Sequence, residues 1–329
     1  MTEQPTDIAR EARPARPTWH VVLVRPETMT LVLLVAGVVG ASALSPYFLD
    51  ASYILRSFTL YAEIAMAALV LTLVIVAGEI DLSAAANMAL SAALFAFTQQ
   101  AGAPIPVAIV VGLCAGLAMG GFNAFMVIRL GLPSIIVTIG TLIFYRGLAQ
   151  VIAGDKSIRV PEWFIGVNAV MVFGVPLPVV LFVLLSIVLA VVLGMTSWGR
   201  QIYQIGTNPV AARHAGIRSD RIKVVLFLLL GFVSAVGGLL AASRLGSVRY
   251  DLALGGELQM VLMAMLGGTY IFGGRGTIVG TFLAAWLLVI VSTGMTVANL
   301  LPAIQLTVLG ILLIVAIIAT NFIYSRTQR

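Results

Sequence analysis

Read along the chain, apolar stretches of roughly twenty residues alternate with short polar or glycine-rich breaks. The pattern predicts ten helical spans, at roughly 29–46, 57–77, 82–98, 105–128, 133–153, 168–195, 223–243, 257–272, 277–295 and 301–323. Runs this long and this free of charge read as helices that cross a bilayer. The third and eighth runs are short for a crossing and read as broken or re-entrant segments. Two breaks are longer than bare turns. Gly154 to Val167 contains Pro161, Trp163 and Phe164 and reads as a folded loop outside. Ser197 to Ile222 is polar and basic. The expected organisation is a tail at 1–28, a membrane domain at 29–323 with segment 197–222 in the cytoplasm, and a tail at 324–329. No low-complexity tract or evident repeat interrupts it.

Composition sharpens this to an all-α polytopic membrane protein. Of 329 residues, 60% are hydrophobic and 10% charged, against about 25% charged in a soluble domain. Lipid must be the solvent for much of such a chain. The spans leave too little sequence for a fused catalytic module. Charge then sets the orientation. With the N-terminus inside, one set of breaks and tails holds Arg10, Arg13, Arg16, Arg25, Arg129, Arg200, Arg213, Arg218, Arg221, Lys223, Arg275, Arg326 and Arg329, and the other holds Arg56, Arg146, Lys156, Arg159, Arg244 and Arg249. The excess of 13 over 6 places both termini in the cytoplasm of a bacterial inner membrane. The net charge of +6 is accounted for in this way, and without a dense basic stripe no nucleic-acid partner is expected. Ala41-Ser42-Ala43 mimics a signal-peptidase site, but an uncleaved first span serves equally well. Cys114, the only cysteine, excludes an intramolecular disulfide and reads as a small buried hydrophobe.

Chemistry concentrates in three places. Between Ser197 and Lys223, Asn208 suits a helix N-cap, Pro209 the first helical position and Gly216 the residue past the end. These bracket a two-turn helix between two spans, with Ser219 or Asp220 left to cap the next one. A helix so short needs a surface to dock on, either a cytoplasmic partner or the lipid headgroups. Second, Glu63 lies inside a span, and Gly78-Glu79-Ile80-Asp81-Leu82-Ser83 joins that span to the next. Acids at membrane depth usually face a cavity or a partner, although a wet turn would hold Glu79 and Asp81 cheaply. Third, Gly112, Gly116 and Gly120 form a stripe that reads as close helix packing. Gly267-Gly268-Thr269 and Gly273-Gly274-Arg275-Gly276 read as a flexible gate or as tight packing.

Absences narrow the function. Lys156 and Lys223 are the only lysines and neither follows glycine, so the chain carries no phosphate-loop motif. Any ATP and Mg²⁺ would be bound by another subunit, and the chain itself needs no cofactor. His20 and His214 are expected outside the hydrocarbon and form no metal site within it. The rival readings are a proton-coupled secondary transporter built on Glu63 and, more remotely, a membrane enzyme or scaffold.

The chain resembles the ribose-type permeases of bacterial ABC sugar importers from about Tyr53 to Phe322. Three motifs in order carry the resemblance: Gly78 to Ser83 matches G-x-I-D-L-S, Ile205 to Ile217 matches the coupling segment, and Leu266 to Thr281 (LGGTYIFGGRGTIVGT) matches the family's L-G-G-T-x-x-x-G-G-x-G-x-I-x-G-T. The resemblance implies a transport subunit without its own ATPase, importing a monosaccharide such as ribose, rhamnose or xylose. It implies three partners: a cytoplasmic ATPase pair, an external sugar-binding protein, and a second permease chain in a homo- or heterodimer. Gly206, Asn208, Pro209, Ala211, Ala212, Arg213, Gly216 and Ile217 would then couple to the ATPase. Glu63, Asp81, Ser83, Asn87 and Thr269 are the candidates for the solute path. Gly78, Gly267, Gly268, Gly273, Gly274 and Gly276 are the candidates for gating or packing. Glu79, Ala84-Ala85-Ala86-Asn87 and Pro209 depart from the family pattern, which suits a chain that works beside a different sister permease.

Overall fold

The computed structural model describes residues 26–44, 48, 50–154 and 157–327. The N-terminal charges Arg10, Arg13, Arg16 and Arg25, together with His20, Lys156 and Arg329, lie outside the described residues. The elements in order are α1 (Pro26–Leu44), α2 (Ala51–Thr59), α3 (Ala62–Val76), α4 (Ala84–Gln100), α5 (Ile105–Ala124) with a π-helical extension (Phe125–Arg129), α6 (Ser134–Ala153), β1 (Ile158–Arg159), α7 (Glu162–Ile165), a 3₁₀ turn (Gly166–Ala169), β2 (Met171–Val172), β3 (Val175–Pro176), α8 (Leu177–Met195), α9 (Ser197–Thr207), α10 (Pro209–His214), α11 (Ser219–Leu245), β4 (Ser247–Val248), α12 (Gly256–Leu266), α13 (Ile278–Val297) and α14 (Pro302–Thr327).

A helix stands at each of the ten predicted positions, but they are not equivalent. Six are long and apolar enough to cross a bilayer, or seven if α2 and α3, bent by 69°, form one span. The count of ten is therefore approximate. Among the described residues, α1, α3, α4 and α12 fall short, and of these α3, α4 and α12 are mostly buried within the molecule. Of α3 only Ile64 escapes full burial, and α12 is 11 residues long. A helix surrounded by protein need not match the thickness of the lipid. The others wrap this centre to different depths. Two-thirds of the apolar window of α11 and of α13 is buried, against 11% for α14.

Three further readings change. The span expected at 168–195 begins at Leu177, because residues 158–176 form a small layer of short strands and turns. There β1 pairs antiparallel with β4, and β2 with β3 through a turn at Phe173 and Gly174. Both turn residues have positive φ, 51° and 80°, the geometry that matches the twist of a two-residue hairpin. Cys114 is exposed, not buried, since an apolar residue facing lipid needs no protein cover. The segment 267–276 is a turn and not the end of a span.

The glycine stripe packs as expected, and the structure supplies its partner. Gly116 and Gly120 on α5 meet Gly231 and the Phe227 carbonyl on α11, while Gly112 lies against the Ser91 carbonyl of α4. Helix backbones in lipid associate by dispersion, which needs this close approach. A Cβ on Gly120 would collide with the Phe227 carbonyl, whereas Gly140 on α6 has open space. Gly120→Leu is expected to lower the melting temperature in detergent, with overpacking costing about 1–3 kcal/mol or more, and Gly140→Leu to leave it unchanged.

Candidate functional site

Segment 196–222 folds as two helices in series, so the two-turn helix is not isolated. The Thr196 hydroxyl caps α9 by accepting from Gly199 N at 3.2 Å. α9 is amphipathic and buries Gly199, Ile202 and Ile205. Asn208 then ends α9 and starts α10, its side-chain oxygen accepting from Val210 N at 3.1 Å and Ala211 N at 3.0 Å. Gly216, at φ 80°, turns the chain out of the helix, and Ile217 N closes the turn on the Ala212 carbonyl at 3.1 Å. Ala212 is the buried residue of α10. Asn208, Pro209, Val210, Ala211, Arg213 and Gly216 are exposed and Ile217 is half-buried, leaving one face of the helix open. Neither Ser219 nor Asp220 caps α11. Arg218 holds that position without a side-chain cap, and Ser219 instead opens the helix itself. An open cavity of about 400 Å³ adjoins α10, lined by Trp198, Gln201, Arg218 and Arg221 among others.

Behind α10 the three sequence motifs meet. Gly274 N donates to the Val76 carbonyl at the end of α3, at 2.8 Å. A Cβ on Gly206 would strike that same carbonyl and would lie 2.5 Å from Gly274 N, and a Cβ on Gly273 would lie 2.8 Å from the Cα of Gly78. Gly273, at φ 87°, is also in a conformation that only glycine adopts without strain. Thr207 packs on Gly274, and the Tyr203 hydroxyl donates to the Gly276 carbonyl at 2.6 Å. Gly276 in turn packs on Thr269, and Gly267 meets Gly280 backbone to backbone. Gly268 sits at φ 85° in the turn after α12. These glycines thus serve close packing. The end of α3, the end of α9 and the 267–276 turn form one backbone-to-backbone junction.

The expected path residues do not converge on one pocket. Asp81 Oδ1 accepts from Ser83 N and Ser83 Oγ at 2.8 and 2.7 Å. Asn123 donates to Asp81 Oδ2 at 3.2 Å and to Ser83 Oγ at 2.8 Å, and the Tyr145 hydroxyl donates to Asn123 at 3.2 Å. This network ties the α3–α4 turn to α5 and α6. Asn87 donates to the Gly116 carbonyl at 3.2 Å and accepts from Ser91 at 3.1 Å. Thr269 is fully buried with its hydroxyl unpartnered among the described residues. Glu63 stands at the opposite end of the molecule. There its carboxylate pairs with Arg244 Nε at 2.9 Å and lines a cavity of about 50 Å³ with Met88, Leu252 and Ala253 among others.

Several of these groups escape a sequence reading. Glu79 is neither in a wet turn nor free, because Lys223 of α11 pairs with it at 2.5 Å. The Lys223 and Arg244 pairs fasten α11 antiparallel to the α3 segment at both ends. Arg244 and Lys223 count in the sequence only as orientation charges. Asn123 and Tyr145 lie in apolar runs where a polar side chain at membrane depth was the available signal.

A family profile described as "Branched-chain amino acid transport system / permease component" matches residues 53–317. The Autoinducer 2 import system permease protein LsrD of Klebsiella pneumoniae subsp. pneumoniae is 33% identical over 302 residues, covering 90% of this chain and 91% of the relative. The protein of that name from Enterobacter sp. (strain 638) is 32% identical, covering 90% and 92%. That from Escherichia coli (strain K12) is 31% identical over 309 residues, covering 92% and 94%. No solved structure matches the chain.

Two outcomes test the geometry. Gly206→Val is expected to abolish correct folding of the junction, read as loss of a monodisperse peak in detergent, while Gly216→Ala is expected to be milder because its surroundings are open. Arg244→Met leaves the Glu63 side chain, 3% exposed, without its partner, and is expected to cost about 3–5 kcal/mol. Adding Glu63→Gln is expected to restore most of that loss, as measured in a double-mutant cycle of thermal stability.

Proposed function

We propose, from the premise that this chain belongs to the branched-chain amino acid transport system / permease component family, how it works as the membrane-spanning subunit of an ATP-driven importer of sugar-like solutes. It is a transport subunit and not an enzyme. Its partners are an ATPase and a solute-binding protein. The finer assignment that follows is our own. The solute is a monosaccharide or a relative of one, with autoinducer 2 beside ribose, rhamnose and xylose as the solutes to test. The family description names branched-chain amino acids, but the three motifs and the similar permeases favour the sugar-like class.

The observation that carries the mechanism is α10, an exposed, doubly capped helix standing on the glycine junction. ATP and Mg²⁺ bind on the ATPase pair in the cytoplasm, together with both termini of this chain. The ATPase grips the open face of α10 and the basic cavity beside it. When the ATPase closes, α10 and α9 move as a unit, since Asn208 is cap to one and terminus of the other. The junction leaves no slack: its contacts are backbone on backbone, so displacement passes to the end of α3 and to the 267–276 turn. The α3 segment, broken from α2 and clasped to α11 by two ion pairs, then rocks against its neighbours. A second permease chain, identical or different, completes the path. The binding protein delivers solute to the face carrying the β1–β4 and β2–β3 ribbons.

The Arg244 partner of Glu63 weighs against a proton-coupled carrier, which needs a carboxylate free to load and release protons. A pull-down of the tagged chain from mild detergent, read by mass spectrometry, tests the importer mechanism. A protein with a phosphate loop is expected with the parent and with the control Cys114→Ser, and is expected to be lost with Ala211→Glu on the exposed face of α10. A well-folded parent that brings no ATPase, with uptake in vesicles abolished by an uncoupler, would refute it.

A further inference from the structure

At the end of the molecule opposite the junction, one charged pair is left apart. Arg146, near the end of α6, uses Nη1 to donate to the carbonyls of Tyr250 at 2.9 Å and Leu252 at 2.6 Å. This pins the loop that leads to α12, in which Ala253 is held at φ 54°. The Nε and Nη2 groups of the same guanidinium are buried and have no hydrogen-bond partner among the described residues. Oε2 of Glu257, in the first turn of α12, is buried and unpartnered as well. Glu257 and Asp251 lie within Coulombic reach of the guanidinium. Even so, Arg146 forms no ion pair among the described residues, and Asp251 is engaged by Arg249 at 3.0 Å. The other two charged pairs of the interior, Glu63–Arg244 and Glu79–Lys223, are in direct contact.

Charged groups at membrane depth whose donors or acceptors go unmet are costly, and their usual explanation is a ligand or a path. The chemistry of the unmet groups identifies the class. Two N–H donors and a carboxylate acceptor call for a group that accepts and donates at once, which is what a hydroxyl does. Anions are disfavoured by the two carboxylates, and cations by the guanidinium. The fork of Arg146 can take adjacent oxygens together, as in a vicinal diol. The setting also suits a transporter site, since α12 is a short helix of 11 residues that becomes mostly buried from Met260 onward, and short half-helices line solute paths.

We propose that Arg146 and Glu257 together bind a neutral polyhydroxyl solute at the outer mouth of the path, Arg146 donating to its oxygens and Glu257 accepting from a hydroxyl. The site deepens the importer reading and rests on it. It is a weak way-station whose role is selection after delivery by the binding protein, so it acts on what is passed inward more than on overall affinity.

The test uses the assembled transporter in liposomes with its binding protein, the ATPase on the accessible side, and labelled D-ribose, 2-deoxy-D-ribose and autoinducer 2 as probes. Glu257→Gln and Arg146→Lys are compared with the parent and with the exposed control Glu162→Gln. ATP hydrolysis is expected to stay at the parent level while solute moved per ATP falls about tenfold, and discrimination between the sugar and its deoxy analogue shrinks by a similar factor. Parent-like transport and discrimination in both variants would overturn the proposal. So would a parallel fall of ATP hydrolysis and uptake, which marks a purely structural role. Absence of ATP-driven uptake by the parent itself would remove the importer reading, and this site with it, and is visible before any variant is made.

Discussion

The close approach of three backbones at Val76–Gly78, Gly206–Thr207 and Gly273–Gly274 is the constraint on which the rest of the structure depends. Side chains are compliant because they change rotamer at small cost. Carbonyl and amide groups in contact with Cα atoms are not. Here a hydrogen bond from Gly274 N to the Val76 carbonyl is flanked by glycines that have no Cβ to keep the strands of chain apart. In the importer mechanism proposed above, a push on α9 reaches α3 through these contacts, and α10 is the helix the ATPase grips.

Charge placement completes the same design. α3 forms the centre of the molecule and has almost no lipid contact, so its rigidity comes from its neighbours. Glu63 and Glu79 lie at its two ends, and α11 supplies a cation to each. In a medium of low dielectric such pairs are held firmly, since separating them leaves a bare charge. Arg146 and Glu257 follow the opposite rule. Two nitrogens of the one and a carboxylate oxygen of the other are buried without hydrogen-bond partners among the described residues.

The layer of short ribbons at the opposite end also bears on mechanism. The β1–β4 pairing links the loop after α6 to the loop after α11, so the ends of helices far apart in sequence are held in one unit. Arg146 pins the following residues to α6. In the proposed mechanism, movement introduced at the junction meets this tied end, and the central helices rock between the two.

The sequence by itself determined the solvent, the helices and the chemistry at the ends of single elements. Lipid follows from the scarcity of charge. The site of each helix follows from apolar runs, and the caps of α10 follow from Asn208, Pro209 and Gly216, because capping acts within four residues of chain. It also made Gly112, Gly116 and Gly120 legible as a packing stripe, since their spacing is a property of one helix. What it could not supply were the partners. Periodicity says that Glu63 is inside a span but not that Arg244 waits 181 residues away, and it reads α3, of which only Ile64 escapes burial, and α14, which is mostly unburied, alike as apolar runs. Lipid and protein interior are equally apolar, so no hydrophobic pattern distinguishes them. The meeting of the three motifs in one junction exists only once the chain is folded, because contact between distant backbones is set by packing and leaves no local trace.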